Sequence, residues 1–425
     1  MKILIKGGDT LIDGVIEKAD LLIEDEIISK AGKSLPDKAD RVIDADGLTV
    51  VPGLVDMHVH LREPGYEYKE DILSGTRAAV KGGFASVACM PNTMPVCDND
   101  SVVKFITDRA KSAGYAKVYP IGAITKGSKG EELAEMNKMK KAGAAAVSDD
   151  GKPVSCGNMM RHALEYAKSL DMLIISHSED LSLSAGGAVN EGYNSTVSGL
   201  PGITRAAEEV AVARDILLAE ALDARIHIAH ISTKGSVELV RRAKERGVKV
   251  TAETCPHYFA ATDDLILSYD SFTKVNPPLR EETDRLAIIE GLRDGTIDVI
   301  ATDHAPHHLD DKRVEYALAS FGISGLETAF GLAYTYLVQK EYIDFTRLIQ
   351  LMSINPAKIL GIKSGIYAGS PADITILDLK TEYKIDTAKF YSKGVNTPFN
   401  GYKVTGRAEY TIVDGRIKLD KGQLV

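Results

Sequence analysis

The stretch GLVDMHVHLREPG, residues 53–65, indicates the fold of this 425-residue sequence most directly. Residues 54–59 form an apolar run of strand length, and histidines stand at positions 58 and 60. Side chains alternate between the two faces of a strand, so His58 and His60 project from the same face. Two imidazoles placed in this way can bind one metal ion. The stretch therefore predicts a strand with a metal-binding carboxyl end.

Seven further runs of this kind follow, separated by stretches whose apolar residues recur every three or four positions. Eight parallel strands joined by helices predict a closed (β/α)8 barrel of the TIM type. A doubly wound sheet has the same local pattern, and only the number of strands disfavours it. The predicted strands cover residues 54–59, 85–90, 117–121, 144–147, 173–176, 225–229, 249–252 and 298–301.

The two ends of the chain differ in pattern from this central part. Residues 1–50 and 366–425 contain short alternating strands interrupted by Gly and Asp, with little helical periodicity. Neither segment is long enough to bury a sheet by itself. We expect both segments to pair into one small β-sandwich that flanks a barrel domain of residues 51–365.

Composition and charge exclude several classes of function. The formal net charge is −9 with Lys and Arg scattered, unlike a nucleic-acid or membrane-surface protein. The first residues lack the apolar core of a signal peptide, and no apolar run approaches the ~18 residues of a membrane span. Four separated cysteines, at positions 89, 97, 156 and 255, are typical of reduced thiols. These features indicate a cytoplasmic protein that binds any anionic substrate through a few focused cations.

Polar side chains follow five of the eight predicted strands at the point where each strand ends. Carboxyl ends of barrel strands converge on the face where active sites are built. Histidines with carboxylates suit zinc or a similar first-row ion, and this set is large enough for two ions about 3.5–4 Å apart. The residues are His58 and His60 after the first strand, Asp149 and Asp150 after the fourth, His177 and Glu179 after the fifth, His230 after the sixth, and Asp303, His304 and His307 after the eighth.

Six motifs give the sequence a family resemblance. They are GLVDMHVHLREPG at residues 53–65, ACMPNT at 88–93, VSDDG at 147–151, ETCPHYF at 253–259, KVNPPLR at 274–280 and ATDHAPH at 301–307. In this order they resemble the cyclic amidohydrolases, and among them the bacterial-type dihydroorotases, over essentially the whole chain. The resemblance implies reversible hydrolysis of the ring amide of L-dihydroorotate to N-carbamoyl-L-aspartate in pyrimidine biosynthesis. It also implies one or two zinc ions per chain, with two favoured.

The resemblance further implies roles for individual residues. Asp150, rather than the adjacent Asp149, takes the bridging position, and Asp303 takes that of the catalytic proton carrier. Many relatives bridge their metals with a carboxylated lysine after the fourth strand, but AAAVSDDG at residues 144–151 contains no lysine. This departure weakens a hydantoinase assignment and leaves the number of ions open. The family's metal ligands fall on His58, His60, Asp150, His177, His230 and Asp303.

Substrate-binding positions carry over in the same way. Arg62 presents a planar fork that can bind a carboxylate through two hydrogen bonds. The corresponding position is typically Asn in allantoinases, whose substrate lacks that carboxylate, so the arginine indicates an anionic ring. The family's substrate contacts fall on His60, Arg62, Asn92, Asn276 and His307 and on backbone groups of Phe321 and Gly322.

The remaining histidines receive simpler interpretations. His162 on a predicted helix and His227 within a predicted strand are expected to be structural. His257, at the end of the seventh strand, is a candidate for a position behind the ligands. His304 and His308 are candidates for shaping the loop that follows the eighth strand.

Two alternatives remain at this point. The chain could be another cyclic amidase, such as a hydantoinase, dihydropyrimidinase or allantoinase, or a noncatalytic barrel that scaffolds a partner. Arg62 and an aspartate bridge oppose the first alternative, and the complete ligand set opposes the second. We expect a small-molecule substrate and a homo-oligomer, with a dimer favoured and an aspartate carbamoyltransferase as a candidate docking partner.

Overall fold

The computed structural model describes residues 1–36 and 38–425. The strands in these parts of the chain are β1 (Lys2–Ile12), β2 (Val15–Glu24), β3 (Ile27–Gly32), β4 (Arg41–Asp44), β5 (Thr49–Pro52), β6 (Leu54–Val59), β7 (Phe84–Cys89), β8 (Lys117–Gly122), β9 (Ala146–Val147), β10 (Leu173–Ser176), β11 (Val189–Asn190), β12 (Gly202–Ile203), β13 (Ile226–Ile228), β14 (Val250–Thr254), β15 (Val299–Ile300), β16 (Ile374–Lys384), β17 (Lys403–Val413), β18 (Arg416–Asp420) and β19 (Gln423–Leu424).

The α-helices lie mostly between the central strands. They are α1 (Ile72–Lys81), α2 (Asp100–Ala113), α3 (Met136–Ala142), α4 (Gly157–Ser169), α5 (Leu181–Ser184), α6 (Tyr193–Ser198), α7 (Arg205–Leu222), α8 (Lys234–Glu245), α9 (Pro256–Ala260), α10 (Glu282–Asp294), α11 (Leu309–Lys312), α12 (Ala329–Ala333), α13 (Phe345–Ile349) and α14 (Asn355–Leu360). Short 3-10 turns occur at Lys126–Ser128, Asp263–Ser268, Ser271–Thr273 and Thr387–Lys389, and π-helical turns at Tyr334–Val338 and Gln350–Ile354.

Capping residues in the sequence fix where several helices begin. The Asp71 carboxylate accepts the Ser74 amide at 2.7 Å before the second turn of α1. The Thr233 hydroxyl accepts the Ser236 amide at 3.1 Å at the start of α8. Each of these bonds satisfies an amide that has no partner inside its own helix. No helix in the described parts of the chain is long and apolar enough to span a bilayer.

Eight parallel strands form the barrel, in the order β6-β7-β8-β9-β10-β13-β14-β15. The His60 amide donates to the His304 carbonyl at 2.8 Å, which brings the end of the last strand back to the first. The predicted (β/α)8 class is confirmed. Some strands are shorter than predicted, and β9 contains only two residues. Next to it, a single hydrogen bond from the Ala145 amide to the Pro120 carbonyl continues the strand pairing, but one bond does not make a regular ladder.

Alternating side chains divide the barrel core into two layers. Met57, Ala88 and Ile121 belong to a small cluster of buried residues, whereas Leu54 of β6 and Val87 of β7 belong to a larger cluster that includes helix residues. Such alternation is expected for strands with one face toward the barrel axis and one toward the helices. With its interior filled by side chains, the barrel offers the strand ends, and not a central pore, for chemistry.

Both ends of the chain contribute to a second sheet, in the order β19-β18-β17-β16-β5-β1-β2-β3 with β4 paired to β1. The antiparallel pair of β5 with β16 joins the amino-terminal strands to the carboxy-terminal ones. The prediction that both chain ends build one β-structure beside the barrel is confirmed as part of the fold class. The division into residues 1–50, 51–365 and 366–425 stays a proposal.

The sheet and the barrel share one apolar core. Leu377 and Ala408 of the terminal sheet belong to the same buried cluster as Phe84, the first residue of β7. Phe84 is fully buried, whereas Phe105 on α2 is 41% exposed. The junction therefore depends on large apolar side chains at the start of the barrel strands.

We predict that Phe84→Ala lowers the free energy of unfolding by about 3–5 kcal/mol, because the truncation leaves a cavity in this shared core. The same change at Phe105 is the control and should cost much less. Urea denaturation of both variants measures the difference. Equal losses would show that the junction does not depend on Phe84.

Candidate metal centre and active site

The residues predicted for the site lie together at the carboxyl ends of the barrel strands. They surround a cavity of about 200 Å³, and His58 is fully buried beside it. The carboxyl end of a barrel is where the fold places chemistry. The cavity is lined by His60, Arg62, Asn92, Asp150, Gly151, His177, His230, Asn276, Asp303, Ala305, His307, Phe321 and Gly322.

Two overlapping groups of side chains could each hold a metal ion. One group is His58, His60 and Asp150, and the other is Asp150, His177 and His230; within each, one potential ligand atom per residue lies within 4.8 Å of the others. Asp150 belongs to both groups. The Asp303 Oδ1 atom lies 3.0 Å from His60 Nε2 and 3.5 Å from His58 Nε2, so it faces the first group.

The outer nitrogens of three histidines identify which nitrogen is free to bind a metal. His58 Nδ1 lies 2.6 Å from Glu253 Oε1, and His60 Nδ1 lies 2.9 Å from Asn92 Oδ1. His177 Nε2 lies 3.1 Å from Glu179 Oε2. These oxygens accept hydrogen bonds from ring N–H groups, so the opposite ring nitrogens direct their lone pairs toward the centre. His58 Nε2 has no hydrogen-bond partner among the described residues, as expected for a ligand atom.

The charges of the cluster suit a cation. Burial alone would lower the pKa of His58, but Glu253, Asp150 and Asp303 outweigh it and raise that pKa well above its usual value. Burial likewise opposes protonation of His177, but Asp150 and Glu179 raise its pKa to about 10. Such a concentration of negative charge stabilises a positive charge placed between these side chains. A metal ion and protons therefore compete for the same nitrogen and oxygen atoms.

The two adjacent aspartates face different ways. Asp149 Oδ1 accepts the backbone amides of Ile124 at 2.8 Å and Thr125 at 3.1 Å, so its carboxylate anchors the loop after β8. Asp150 Oδ1 instead lies 3.4 Å from His58 Nε2 and 3.4 Å from His177 Nδ1. The geometry thus distinguishes an anchoring aspartate from one that stands between the two groups.

Three site residues have left-handed backbone conformations. The φ angles are +60° at Arg62, +33° at His230 and +46° at Asp303. Non-glycine residues adopt this region at a cost of about 1–3 kcal/mol each, and such residues cluster at functional sites. The surrounding fold offsets this cost and aims the three side chains at the cavity.

A cationic side chain, that of Arg62, also lines the cavity. The Arg62 Nε donates to the Pro306 carbonyl at 3.2 Å, and no carboxylate of the described residues lies within ion-pair distance of its guanidinium. His307 Nε2 lies 2.8 Å from the Phe321 carbonyl, and the Gly322 amide donates to the Lys274 carbonyl at 2.9 Å. The half-buried guanidinium therefore still has N–H groups that can donate hydrogen bonds to an anionic ligand.

Comparison with known proteins agrees with this geometry. A family model described as Dihydro-orotase-like matches residues 47–236. A dihydroorotase of Acetivibrio thermocellus is 55% identical over 420 residues, covering 97% of this chain and 98% of that protein. One of Pelotomaculum thermopropionicum is 57% identical over 421 residues, with 98% of both chains covered.

The chain belongs to the dihydroorotase family.

Solved structures place it among the wider group of cyclic amidases. An L-hydantoinase (dihydropyrimidinase) from Arthrobacter aurescens superposes with a TM-score of 0.89 at 27% identity, covering 100% of this chain and 97% of that one. The predicted family and the prediction of an enzyme are confirmed. The dihydroorotase chain also contains clusters that can hold a metal, as predicted, while the identity and number of the ions belong to the proposal below.

Sequence reasoning missed the role of Glu253 behind the ligands. Glu253 is fully buried at the end of β14, where Oε1 binds His58 and Oε2 lies 3.1 Å from His227 Nε2. His227 Nδ1 in turn lies 2.7 Å from the Thr251 hydroxyl. An acidic residue at the end of a buried strand was the available signal, since the strand ends that carry Asp150, Glu179 and Asp303 show the same feature.

The other histidines occupy several environments. His162 is exposed, and His308 caps α11 through its bond with the Asp310 amide at 3.3 Å. His257 is buried, its Nε2 has no partner among the described residues, and burial lowers its pKa to about 4. His304 Nδ1 accepts the Gly325 amide at 3.1 Å, so it braces the loop after β15.

We predict that Glu253→Ala weakens metal binding about 10- to 100-fold, because the tautomer and orientation of His58 are no longer fixed. Glu63→Ala is the control, since it removes a buried carboxylate that contacts Arg109 and the Ile72 amide instead. Competition with a chromogenic chelator measures the affinity without relying on activity. Unchanged affinity in Glu253→Ala would contradict its role.

Proposed function

We propose that this enzyme reversibly hydrolyses the ring amide of L-dihydroorotate to N-carbamoyl-L-aspartate, and runs as ring closure in pyrimidine biosynthesis. The observation that carries the proposal is Arg62, a forked cation without a carboxylate partner among the described residues, which lines the same small cavity as the His/Asp cluster. A ring with an amide at one end and a carboxylate at the other fits this arrangement. The relatives named dihydroorotase, at 52–57% identity, support the same substrate.

We propose zinc as the metal, with two ions that share Asp150. Imidazole and carboxylate ligands suit zinc, and the two overlapping ligand groups support a pair of ions. When bound, zinc supplies Lewis-acid polarisation of the amide carbonyl and a water of lowered pKa. The proposed ligands are His58, His60, Asp150, His177, His230 and Asp303.

Asp303 is the proposed proton carrier. Its carboxylate is buried, lines the cavity and faces His60. Burial would raise the pKa of Asp303, but His58 and His60 lower it below its usual value, so the group is ionised and can accept a proton. In hydrolysis Asp303 takes the proton of the attacking water and delivers it to the leaving ring nitrogen. In ring closure the same transfers run in reverse.

The substrate is proposed to lie in the cavity between the His/Asp cluster and Arg62. Arg62 and His307 face the carboxylate, and His60, Asn92 and Asn276 lie closer to the ligand cluster. The Asn276 amide donates to Glu179 Oε2 at 3.1 Å, so it is held in place before substrate binds. Backbone groups of Phe321 and Gly322 complete the proposed contacts. Such a preorganised site loses little entropy on binding.

Another cyclic amidase is the competing function. The hydantoinase and dihydropyrimidinase structures match the fold at 22–27% identity, far below the identity to the dihydroorotases. A substrate without a carboxylate would leave Arg62 half-buried and unpaired, which costs free energy. A noncatalytic scaffold is disfavoured because every proposed ligand is present and close to its neighbours.

We further propose a cytoplasmic homo-oligomer, with a dimer favoured and docking on an aspartate carbamoyltransferase as an additional assembly. Cys89, Cys97 and Cys255 are buried as free thiols and Cys156 is an exposed free thiol, a pattern typical of a reducing compartment. Sedimentation of the purified protein, alone and mixed with that transferase, tests both assemblies.

We predict that Asp303→Asn lowers kcat about 10²- to 10⁴-fold with a smaller effect on KM, because a carboxamide cannot carry the proton. Metal content, measured on the same preparation, separates this role from that of a ligand. Retention of more than a third of wild-type turnover with metal still bound excludes Asp303 as the base.

We predict that Arg62→Asn reduces kcat/KM on dihydroorotate by roughly thirty- to several-thousand-fold, because a desolvated carboxylate loses its partner. Hydrolysis of dihydrouracil, which lacks the carboxylate, should change little. Arg62→Lys should recover part of the loss, since it restores the charge but not the fork. An equal fall on both substrates would favour the competing amidase function.

A further inference from the structure

Lys69 is not among the residues that line the cavity, but it contacts His307, which is. It belongs to the loop between β6 and α1, and its Nζ lies 3.2 Å from His307 Nδ1 and 3.2 Å from Asp311 Oδ2. Its side chain is only 15% exposed and lies near the rings of Tyr66 and Tyr68. An ammonium donates and cannot accept, so His307 Nδ1 must be the accepting nitrogen.

The opposite nitrogen of His307 faces two different groups. His307 Nε2 lies 2.8 Å from the Phe321 carbonyl and 3.4 Å from Arg62 Nη2. With Nδ1 unprotonated, Nε2 carries the proton and donates to Phe321. This proton lies beside the Arg62 guanidinium, so a carboxylate bound by the Arg62 fork can share it with the Phe321 carbonyl in a bifurcated hydrogen bond. Burial, followed by the charges of Arg62, Lys69 and Lys312, lowers the pKa of His307 to about 2, so the ring is neutral.

A second tautomer of His307 is available in the same surroundings. Asp311 Oδ2 lies 3.9 Å from His307 Nδ1 and would attract a proton on that nitrogen. Nε2 would then be unprotonated, so its hydrogen bond to the Phe321 carbonyl would be lost and Arg62 Nη2 could donate to it instead. In that arrangement His307 cannot donate a hydrogen bond to a substrate carboxylate, and one N–H group of Arg62 is occupied by His307.

We propose that Lys69 is a positioning residue that selects the Nε2-protonated tautomer of His307 and so creates the two-donor site for the substrate carboxylate. Lys69 does this by donating to Nδ1 and by pairing with Asp311, the group that would otherwise draw the proton to Nδ1. The functional consequence rests on the proposed function, because it assumes that Arg62 and His307 bind a carboxylate.

Steady-state kinetics on the metal-loaded enzyme test this role. Lys69→Met keeps the aliphatic stem near the tyrosines, and it should raise KM for dihydroorotate about 10- to 100-fold, the cost of a lost charge-assisted hydrogen bond, with kcat within about threefold. KM for dihydrouracil should not change. Lys69→Arg, which still donates, should restore most of the loss. Lys393→Met is the matched control, since Lys393 ties the same loop through the Glu67 carbonyl and Asp71 without contacting His307.

Removing Asp311 separates tautomer selection from a mere tie between loops. Asp311→Ala alone should leave KM within about threefold of wild type, because Lys69 still donates to Nδ1. In Lys69→Met/Asp311→Ala the competing acceptor is gone and the Phe321 carbonyl again selects the Nε2 proton, so most of the KM loss should be recovered. A double variant as impaired as Lys69→Met, or more so, overturns the proposal.

Nitrogen-15 NMR of histidine side chains gives a readout on the wild-type protein that needs no substrate. In the wild-type protein the signals of His307, assigned by their absence in His307→Gln, should report a neutral ring protonated only at Nε2. A mixed or Nδ1-protonated ring overturns the proposal. A wild-type enzyme inactive on dihydroorotate but with the expected NMR signature would refute the proposed substrate and leave the tautomer selection standing.

Discussion

The site depends on one electrostatic constraint, the convergence of buried lone pairs around Asp150. Imidazole nitrogens of His58 and His177 each lie 3.4 Å from Asp150 Oδ1, with a fixed acceptor behind each ring. Such an arrangement is repulsive unless positive charge lies between the groups. Glu253, which is fully buried, and Glu179, which is mostly buried, are therefore as much a part of the centre as the proposed ligands, because they determine which nitrogen faces inward.

Charge is distributed unevenly along the cavity. The acidic groups Asp150 and Asp303 line it together with the cationic Arg62, and Lys69 contacts His307 of the cavity wall. A ring whose amide needs a metal and whose carboxylate needs a cation is oriented by this polarity alone, before any shape complementarity acts. The net charge of −9 does not oppose this, since local cations focus the field in the cleft.

The carboxy-terminal segment contributes to the site as well as to the flanking sheet. Between β16 and β17 the chain returns to the barrel, where fully buried Asn396 accepts the His307 amide at 2.9 Å. Its amide donates to the carbonyls of Ala305 at 3.0 Å and Gly322 at 2.9 Å. The wall that carries His307 is thus fixed by residues nearly a hundred positions away in the sequence, which links the fold of the chain ends to the geometry of the cavity.

The sequence by itself determined the barrel and which polar residues stand at its strand ends. Period-two runs, helical spacing and the count of eight strands follow from local propensity, and polar residues at strand ends are visible without coordinates. The motifs also distinguished the family, through the absent lysine at residues 144–151 and the arginine at position 62. Only the tertiary structure showed that Asp150, and not Asp149, faces the histidines. It also showed that Glu253 and Glu179 contact His58 and His177, and it gave the contacts of Lys69 and Asn396. These are set by atoms far apart in the chain, and a hydrogen bond depends on distances of a few tenths of an ångström that no periodicity encodes.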